Sequence, residues 1–105
     1  IRPNMKVDQI QIEQQSVVVE RYLKALSNKN RLMILCSLAD EELSVSEINR
    51  KVNLSQSALS QHLALLREDD FVDTRKVGQS VIYSIKDDKV LALIQSFYAI
   101  FCKNI

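Results

Sequence analysis

The sequence predicts a mainly α domain (α+β) in which four helices are followed by a β-hairpin and a fifth helix. The 105 residues include one Gly and one Pro, so few positions would break a helix. Apolar residues recur at spacings of three and four over most of the chain. Only residues 71–86 have the Val-, Ile-, Tyr- and Thr-rich composition of strands, and they surround the single glycine, Gly78. We expect residues 1–105 to form one domain.

Composition restricts the class of protein. With 47% apolar and 26% charged residues, the chain is typical of a soluble globular domain. No apolar run approaches the roughly 18 residues needed to span a bilayer, so no membrane partner is expected. The start of the sequence lacks a secretory signal pattern, and Met5 is a candidate for the natural initiator. With only two Cys, the sequence predicts a cytoplasmic protein with reduced thiols.

The first two helices are predicted from apolar spacing. Residues from about 7 to 26 carry Val18, Tyr22 and Leu26 on one side. The polar segment SNKN at 27–30 closes this helix and opens the next. The run RLMILCSLA at 31–39 is apolar nearly all round, so we expect a central, buried helix there.

A helix-turn-helix is predicted over residues 44–69. Ser44 and Glu47 have the spacing of a capping box, which begins a third helix at Ser44. Asn53 and Leu54 form the next turn, and Ser55 caps a fourth helix. Two helices joined by a turn of three to four residues match the motif whose second helix enters the DNA major groove.

The fourth helix has two different faces when its residues are placed at 100° steps. The apolar arc contains Ala58, Leu59, Leu63, Leu65 and Leu66. The opposite face contains Gln56, Ser57, Ser60, Gln61 and Ala64. Gln can bond an adenine edge at two points, and Ser can bond a base edge or a phosphate. The four polar residues are therefore candidate DNA-binding residues, with a solvated polar face as the alternative.

His62 falls on the apolar arc of the same helix. This position favours a buried or half-buried imidazole, hydrogen-bonded beneath the hairpin, over a contact with a base.

The hairpin would form a wing over residues 71–86. Arg75 and Lys76 lie on its first strand, and Gln79 and Ser80 lie beside the tip at Gly78. In a wing these residues would contact phosphates or the minor groove. The alternative is a solvated hairpin with ordinary surface charges. The net charge of +1 adds little, although residues 49–86 carry six cations and four anions.

The last segment, at about 87–103, carries more apolar surface than one terminal helix can bury on a small domain. We interpret the excess as a homodimer interface shared with the first helix, at about 7–26.

A family resemblance rests on these same motifs. The run LSVSEINRKVNLSQSALSQHLALLREDDFVDTRKVGQSVIYSI resembles the core of the ArsR/SmtB family of bacterial winged-helix repressors, and the resemblance extends from RYLKALSNKNRLMIL onward. It implies a winged helix-turn-helix and a homodimer that binds double-stranded operator DNA until an inducer is sensed. By this resemblance the DNA contacts come from Gln56, Ser57, Ser60 and Gln61, with the hairpin as wing.

Metal sensing, common in that family, is not favoured by this sequence. Many relatives use a Cys-x-Cys-type site at the start of the third helix or an Asp/His set on the last one. Here the third-helix positions are Ser44, Val45 and Ser46, and the last helix has no His. Two Cys and one His are too few for a tetrahedral site within one protomer, so we expect no metal or other cofactor, although a site shared across a dimer stays open.

The sequence is similar to the BigR/SqrR-like and HlyU-like subgroup in ILCSL, in ELSVSEI without metal-binding Cys, and in a lone Cys on the closing helix. That resemblance implies that Cys36 and Cys102 lie near each other and are bridged by a disulfide or polysulfide when a persulfide, polysulfide or oxidant acts as inducer, which releases operator DNA. Considered separately, Cys36 could be a small buried apolar residue and Cys102 part of a frayed end. A regulator that responds to general redox change, or an anti-repressor with structural cysteines, therefore stays open.

Two other functional classes are the alternatives to a DNA-binding regulator. An enzyme is not expected, because His62 is assigned to a packed face and the sequence has no Gly-rich anion loop or paired-carboxylate pocket. A winged helix used only for protein interaction is the second alternative. The operator, the regulated genes and the choice between persulfide and peroxide do not follow from the sequence.

Overall fold

The computed structural model describes residues 6–102, which form five helices and a three-stranded antiparallel sheet. In chain order the elements are α1 (Gln9–Leu26), α2 (Lys29–Ser37), β1 (Leu43–Ser44), α3 (Val45–Lys51), α4 (Gln56–Glu68), β2 (Val72–Val77), β3 (Ser80–Ile85) and α5 (Asp88–Phe101). The predicted fold class is confirmed. β1 was not predicted, because two residues are too few to show a strand period. The proposals about Met5 as initiator and about residue 103 as helix end lie outside the described residues.

Side-chain caps set the helix boundaries. The capping box is present: Ser44 Oγ accepts from the Glu47 N–H at 3.2 Å, and the Glu47 carboxylate accepts from the Ser44 N–H at 2.8 Å. These bonds satisfy N–H groups that have no partner inside the helix. Asn28 caps α2, and Ser55 caps α4 by accepting from the Ala58 N–H at 3.2 Å. The predicted starts of α3 and α4 are thus explained by local chemistry.

The sheet has the strand order β1-β3-β2, so the hairpin is extended by the short strand before α3. Leu43 of β1 pairs with Tyr83, which pairs on its other side with Thr74. The hairpin turn consists of Gly78 and Gln79, and Gly78 has a φ of 62°. A positive φ at the first turn residue is the requirement of a type II′ hairpin turn, which glycine meets without steric cost. The predicted hairpin around Gly78 is confirmed.

The core is built from one side of each helix and from the base of the hairpin. Its largest fully buried side chains are Phe71, Ile34, Leu35, Ile48, Leu59, Leu66, Val72 and Val90. Among the residues described, no polar or charged residue is buried in this core. No helix within residues 6–102 is long and apolar enough to cross a membrane.

The prediction of a buried α2 was wrong in part, and one residue of the apolar arc of α4 is exposed. α2 is not buried all round, because Met33 is 43% exposed and Cys36 is exposed while Ile34 and Leu35 are inaccessible. The reason is that neighbouring helices cover one side of α2 and its other side borders a groove. Leu65 is 48% exposed, because it lies about 120° around α4 from the core-facing Leu59.

A junction around Tyr22 connects α1 to the rest of the domain. The Tyr22 and Phe71 ring centroids are 5.1 Å apart, and the Tyr22 hydroxyl donates to Asp87 Oδ2 at 2.6 Å. The Arg21 guanidinium lies 5.2 Å from both ring centroids and donates to the Asp69 carbonyl at 2.9 Å. Since Asp87 also caps α5 and Asp69 caps α4, one junction fixes the ends of three helices.

This junction makes stability depend on pH. Burial raises the pKa of Asp87, but hydrogen bonds from Tyr22 and from the Lys89 and Val90 backbone outweigh it, so the net pKa is below the ordinary value. A lowered folded-state pKa contributes stability above the unfolded-state pKa of about 3.9, and that stability is lost as the pH falls through the folded-state value.

We predict that Tyr22→Phe lowers the free energy of unfolding at pH 7 by about 1–2 kcal/mol, because the Asp87 carboxylate loses its donor. The loss should shrink at a pH well below the ordinary carboxyl pKa of about 3.9, because Asp87, whose folded-state pKa is lowered, becomes protonated there. Urea denaturation at both pH values measures this. Tyr98→Phe is the control, since Tyr98 is exposed and its hydroxyl makes no hydrogen bond within the described chain. An equal loss at both pH values would contradict the explanation.

Candidate DNA-binding surface and thiol groove

The polar face of α4 is open to solvent. Gln56, Ser57, Ser60 and Gln61 are all exposed, whereas Leu59 and Leu63 on the opposite side are buried. None of the four polar side chains makes a hydrogen bond to another described residue, so their donors and acceptors are available to a ligand. The structure therefore places together the four side chains that sequence reasoning selected.

The position of α4 depends on a residue that the sequence analysis missed. The Asn49 side-chain amide, at the end of α3, donates to the Leu54 carbonyl at 2.8 Å and to the Val52 carbonyl at 3.3 Å. These bonds fix the turn between α3 and α4, and thus the angle at which α4 leaves it. The available signal was an Asn in the last turn of a helix, next to a turn with few other side chains that could bond its backbone.

His62 is half-buried on the inner side of α4, as expected. Its Nδ1 atom is buried, yet it has no hydrogen-bond partner among the described residues. The predicted hydrogen bond beneath the hairpin is therefore not found for this atom. The orientation separates His62 from the exposed polar face.

The wing residues differ in whether their side chains are free to bind a ligand. Strand alternation places Lys76 on the sheet face of the buried Val72, and Arg75 on the opposite face. Lys76 and Gln79 are exposed and make no side-chain hydrogen bond or ion pair within the described residues. Arg75 instead binds Glu42, with Nη2 at 2.6 Å from Oε1 and Nε at 3.5 Å from Oε2. The sequence analysis missed this partner, because Glu42 is far from Arg75 along the chain.

The two cysteines, also far apart in the sequence, border one groove between α2 and α5. Both are free thiols and both are exposed, and Cys102 is the C-cap residue that follows α5. The groove has a volume of about 730 Å³. Its other lining residues are mostly apolar: Leu32, Met33, Ala39, Ile94, Phe97, Tyr98 and Phe101, with Asp40 and Gln95.

The environment of the groove affects thiol reactivity. Burial raises the pKa of the Cys36 thiol, and the nearby Cys102 raises it further by charge repulsion. A raised pKa leaves less of Cys36 as the thiolate near pH 7, and the thiolate is the form that reacts. Within residues 6–102, no group of three or more His, Cys, Asp and Glu side chains could hold a metal ion.

Two apolar surfaces have no cover within the described chain. No residue of α1 before Tyr22 is buried, and Val17 is 77% exposed. At the end of α5, Ile100 and Phe101 are each 71% exposed. A protruding helix of this kind is marginal in water without packing, so both surfaces are candidates for contact with another chain.

Comparison with known proteins gives consistent results. Residues 28–74 match the family model for bacterial regulatory proteins of the arsR family. The chain is 46% identical over 93 residues to the transcriptional activator HlyU of Vibrio cholerae, covering 89% of this chain and 86% of the relative.

Solved structures agree with that match. The transcriptional repressor BigR from Xylella fastidiosa has a TM-score of 0.87 at 34% identity, covering 91% of this chain and 98% of that one. A homodimeric winged helix-turn-helix DNA-binding domain from Mycobacterium bovis has a TM-score of 0.70 at 26% identity, covering 94% of this chain and 89% of that one. The relatives are regulators of transcription and not enzymes.

Proposed function

Since the chain belongs to the ArsR family of bacterial regulatory proteins and is a transcriptional regulator, we propose that it binds operator DNA as a homodimer and releases it when Cys36 and Cys102 are bridged. The observation that carries this proposal is the shared groove, where two free thiols from distant parts of the sequence line one cavity. The unengaged polar face of α4 supplies the DNA-reading part.

DNA reading follows from the chemistry of that face. Gln56 and Gln61 each present a donor and an acceptor, which match the two bonding atoms of an adenine edge in the major groove. Ser57 and Ser60 are short enough to bond bases or phosphates while the helix lies deep in the groove. Lys76 and Gln79 at the wing would contact the neighbouring backbone or minor groove.

A homodimer is supported by the uncovered parts of α1 and α5. These apolar surfaces receive no cover from the described chain. A second copy related by a two-fold axis would bury both, and it would place two α4 helices for half-sites about one DNA turn apart. The homodimeric relative from Mycobacterium bovis has the same fold.

Bridging can proceed with either class of inducer. With a hydroperoxide, one thiolate attacks the peroxide oxygen to give a sulfenic acid and an alcohol or water, and the second thiol then displaces water to form a disulfide. With a persulfide donor, a thiolate takes the terminal sulfur and releases the donor thiol. The second thiol attacks this persulfide and releases hydrogen sulfide, or two persulfides condense to a trisulfide with the same leaving group.

The geometry offers a route from the groove to α4. A bridge would hold the end of α5 against α2, which changes the apolar surface available to the second copy. The start of α5 is tied by Asp87 to Tyr22, and the adjacent Arg21 bonds the residue that ends α4. A shift of α5 would therefore alter the spacing of the two α4 helices and weaken operator binding. The relatives include both an activator and a repressor of transcription.

The first prediction from this proposed function concerns the reading of DNA sequence by α4. Gln56→Ala, Ser57→Ala and Gln61→Ala in one chain should lower the preference for a sequence enriched from a random duplex library at least about tenfold, because base-edge bonds are lost. Binding to mixed-sequence DNA at low salt should remain, which competition anisotropy measures. Asn53→Ala, in the preceding turn, is the control and should keep the preference. Retention of the preference in the triple variant would refute DNA reading by this face.

The second prediction concerns the thiols. Treating the reduced protein with a persulfide donor or with peroxide should lower its affinity for that enriched DNA about tenfold or more, whereas Cys36→Ser and Cys102→Ser should each keep their affinity. Intact mass spectrometry separates the bridged products: loss of about 2 Da indicates a disulfide and a gain of about 30 Da a trisulfide, whereas a gain of about 32 Da indicates an unbridged persulfide or sulfinic acid. Bridging should be faster as the pH rises from about 6 to 9, because the thiolate is required.

Each serine variant is the matched control for the other. If either variant still releases DNA under the same treatment, the bridge is not the cause of release.

The third prediction concerns assembly. Val17→Asp should convert a dimer into a monomer at micromolar concentration, because it places a carboxylate in the uncovered apolar surface of α1. Sedimentation velocity of the reduced protein without DNA measures the change. Gln79→Asp, at the hairpin tip, is the matched control and should remain dimeric. A Val17→Asp dimer of unchanged affinity would exclude α1 from the interface.

A further inference from the structure

Ion pairs engage half of the cations in residues 49–86, the part of the chain that we propose binds DNA. The sequence alone did not reveal these pairs. Residues 49–86 carry six cations, and three of them are paired in the structure: Lys51 with Glu41 at 2.8 Å, Arg75 with Glu42 at 2.6 Å, and Lys86 with Asp70 at 3.4 Å. Two of the three partners are the consecutive carboxylates that precede β1. These two carboxylates offset the excess of two positive charges in residues 49–86.

The geometry of Arg75 shows what its pair does. Arg75 lies opposite Ile82 on β3, and Ile82 lies opposite Ser44 on β1, so its guanidinium crosses the sheet to reach Glu42. Because Ser44 is nearer the hairpin tip than Leu43 in this register, Glu42 lies toward the base of the wing. The pair therefore directs the Arg75 charge away from the tip, where Lys76 and Gln79 are unengaged.

The contact is double and charge-assisted, but it is open to competition. Arg75 donates through Nη2 and Nε to both carboxylate oxygens, the geometry with which guanidinium groups also bind phosphates. The hydrogen bonds from Arg75 hold the pKa of Glu42 below its ordinary value, so the carboxylate remains charged near neutral pH. Both side chains are about half exposed. An exposed ion pair is weak, so Arg75 can exchange Glu42 for another anion.

We propose that Glu42 is an affinity-limiting residue of the DNA-binding surface, which competes with DNA phosphate for Arg75. Each phosphate contact raises the affinity for every DNA sequence alike. By keeping one cation per protomer in an ion pair, Glu42 keeps the sequence-independent part of the DNA affinity low. Base reading by α4 then accounts for a larger share of the total DNA affinity. This inference rests on the proposed function, because it requires the wing to approach DNA.

The test is the Glu42→Gln variant of the full chain, measured against a mixed-sequence duplex of about 30 base pairs over a range of salt concentrations. Removing the carboxylate charge frees Arg75, so the affinity should rise. The plot of log affinity against log salt should also become steeper by about 0.9 for each Arg75 that gains a phosphate, or about 1.8 for a dimer. The gain in affinity should therefore be about tenfold larger at about 50 mM salt than at about 200 mM.

Two control variants isolate the contribution of Arg75. Glu68→Gln removes a carboxylate from α4 that has no ion pair among the described residues, and it should leave the salt slope unchanged. Glu42→Gln made in an Arg75→Gln background should also leave the slope unchanged. An unchanged slope in the single variant, or an equal steepening in the Arg75→Gln background, would overturn the proposal.

The outcomes also separate this inference from the proposed function. If the unmodified protein shows no salt-dependent binding to DNA, the proposed function fails. If it binds with the usual salt dependence and Glu42→Gln has the same slope, only the role of Glu42 fails.

Discussion

The buried junction of Tyr22 with Phe71 and Asp87 is the contact on which the arrangement of the domain depends. α1 has no buried residue before Tyr22, so its attachment to the domain rests on its last turns and on this ring. The hydroxyl fixes the residue that begins α5, and Phe71 begins the hairpin segment. Arg21 adds the end of α4 to the same junction. The elements that we propose for assembly and for DNA reading are thus held by one cluster of contacts.

Through α5, the Tyr22 junction is connected to the thiol groove. Cys36 and Cys102 are located where the end of α5 approaches α2, whereas Asp87 anchors the start of the same helix at the junction. A chemical change at one end of α5 would therefore act on a helix whose other end contacts α1 and lies next to the end of α4. The surroundings of Cys36 also affect its reactivity, because partial burial and the nearby Cys102 raise the pKa of its thiol.

Electrostatics also affects the proposed DNA-binding surface. The polar face of α4 carries no charged side chain among its four proposed reading residues, so it forms hydrogen bonds without attracting every phosphate. Of the six cations in residues 49–86, Lys51 and Arg75 are paired with Glu41 and Glu42. A reading surface of this kind would gain its preference from base edges, because the sequence-independent part of binding is kept small.

Local sequence determined most of the fold, because caps, apolar spacing and one glycine act over a few residues. Ser44 with Glu47, Ser55 and Gly78 set the starts of α3 and α4 and the hairpin turn. The α4 faces followed from a fixed angle per residue, which also placed His62 inward. Tertiary structure alone decided the contacts between distant residues: the exposure of one side of α2, the Asn49 bonds, the Glu42–Arg75 pair and the meeting of both cysteines in one groove. Such contacts depend on how whole elements pack, which a local pattern does not encode.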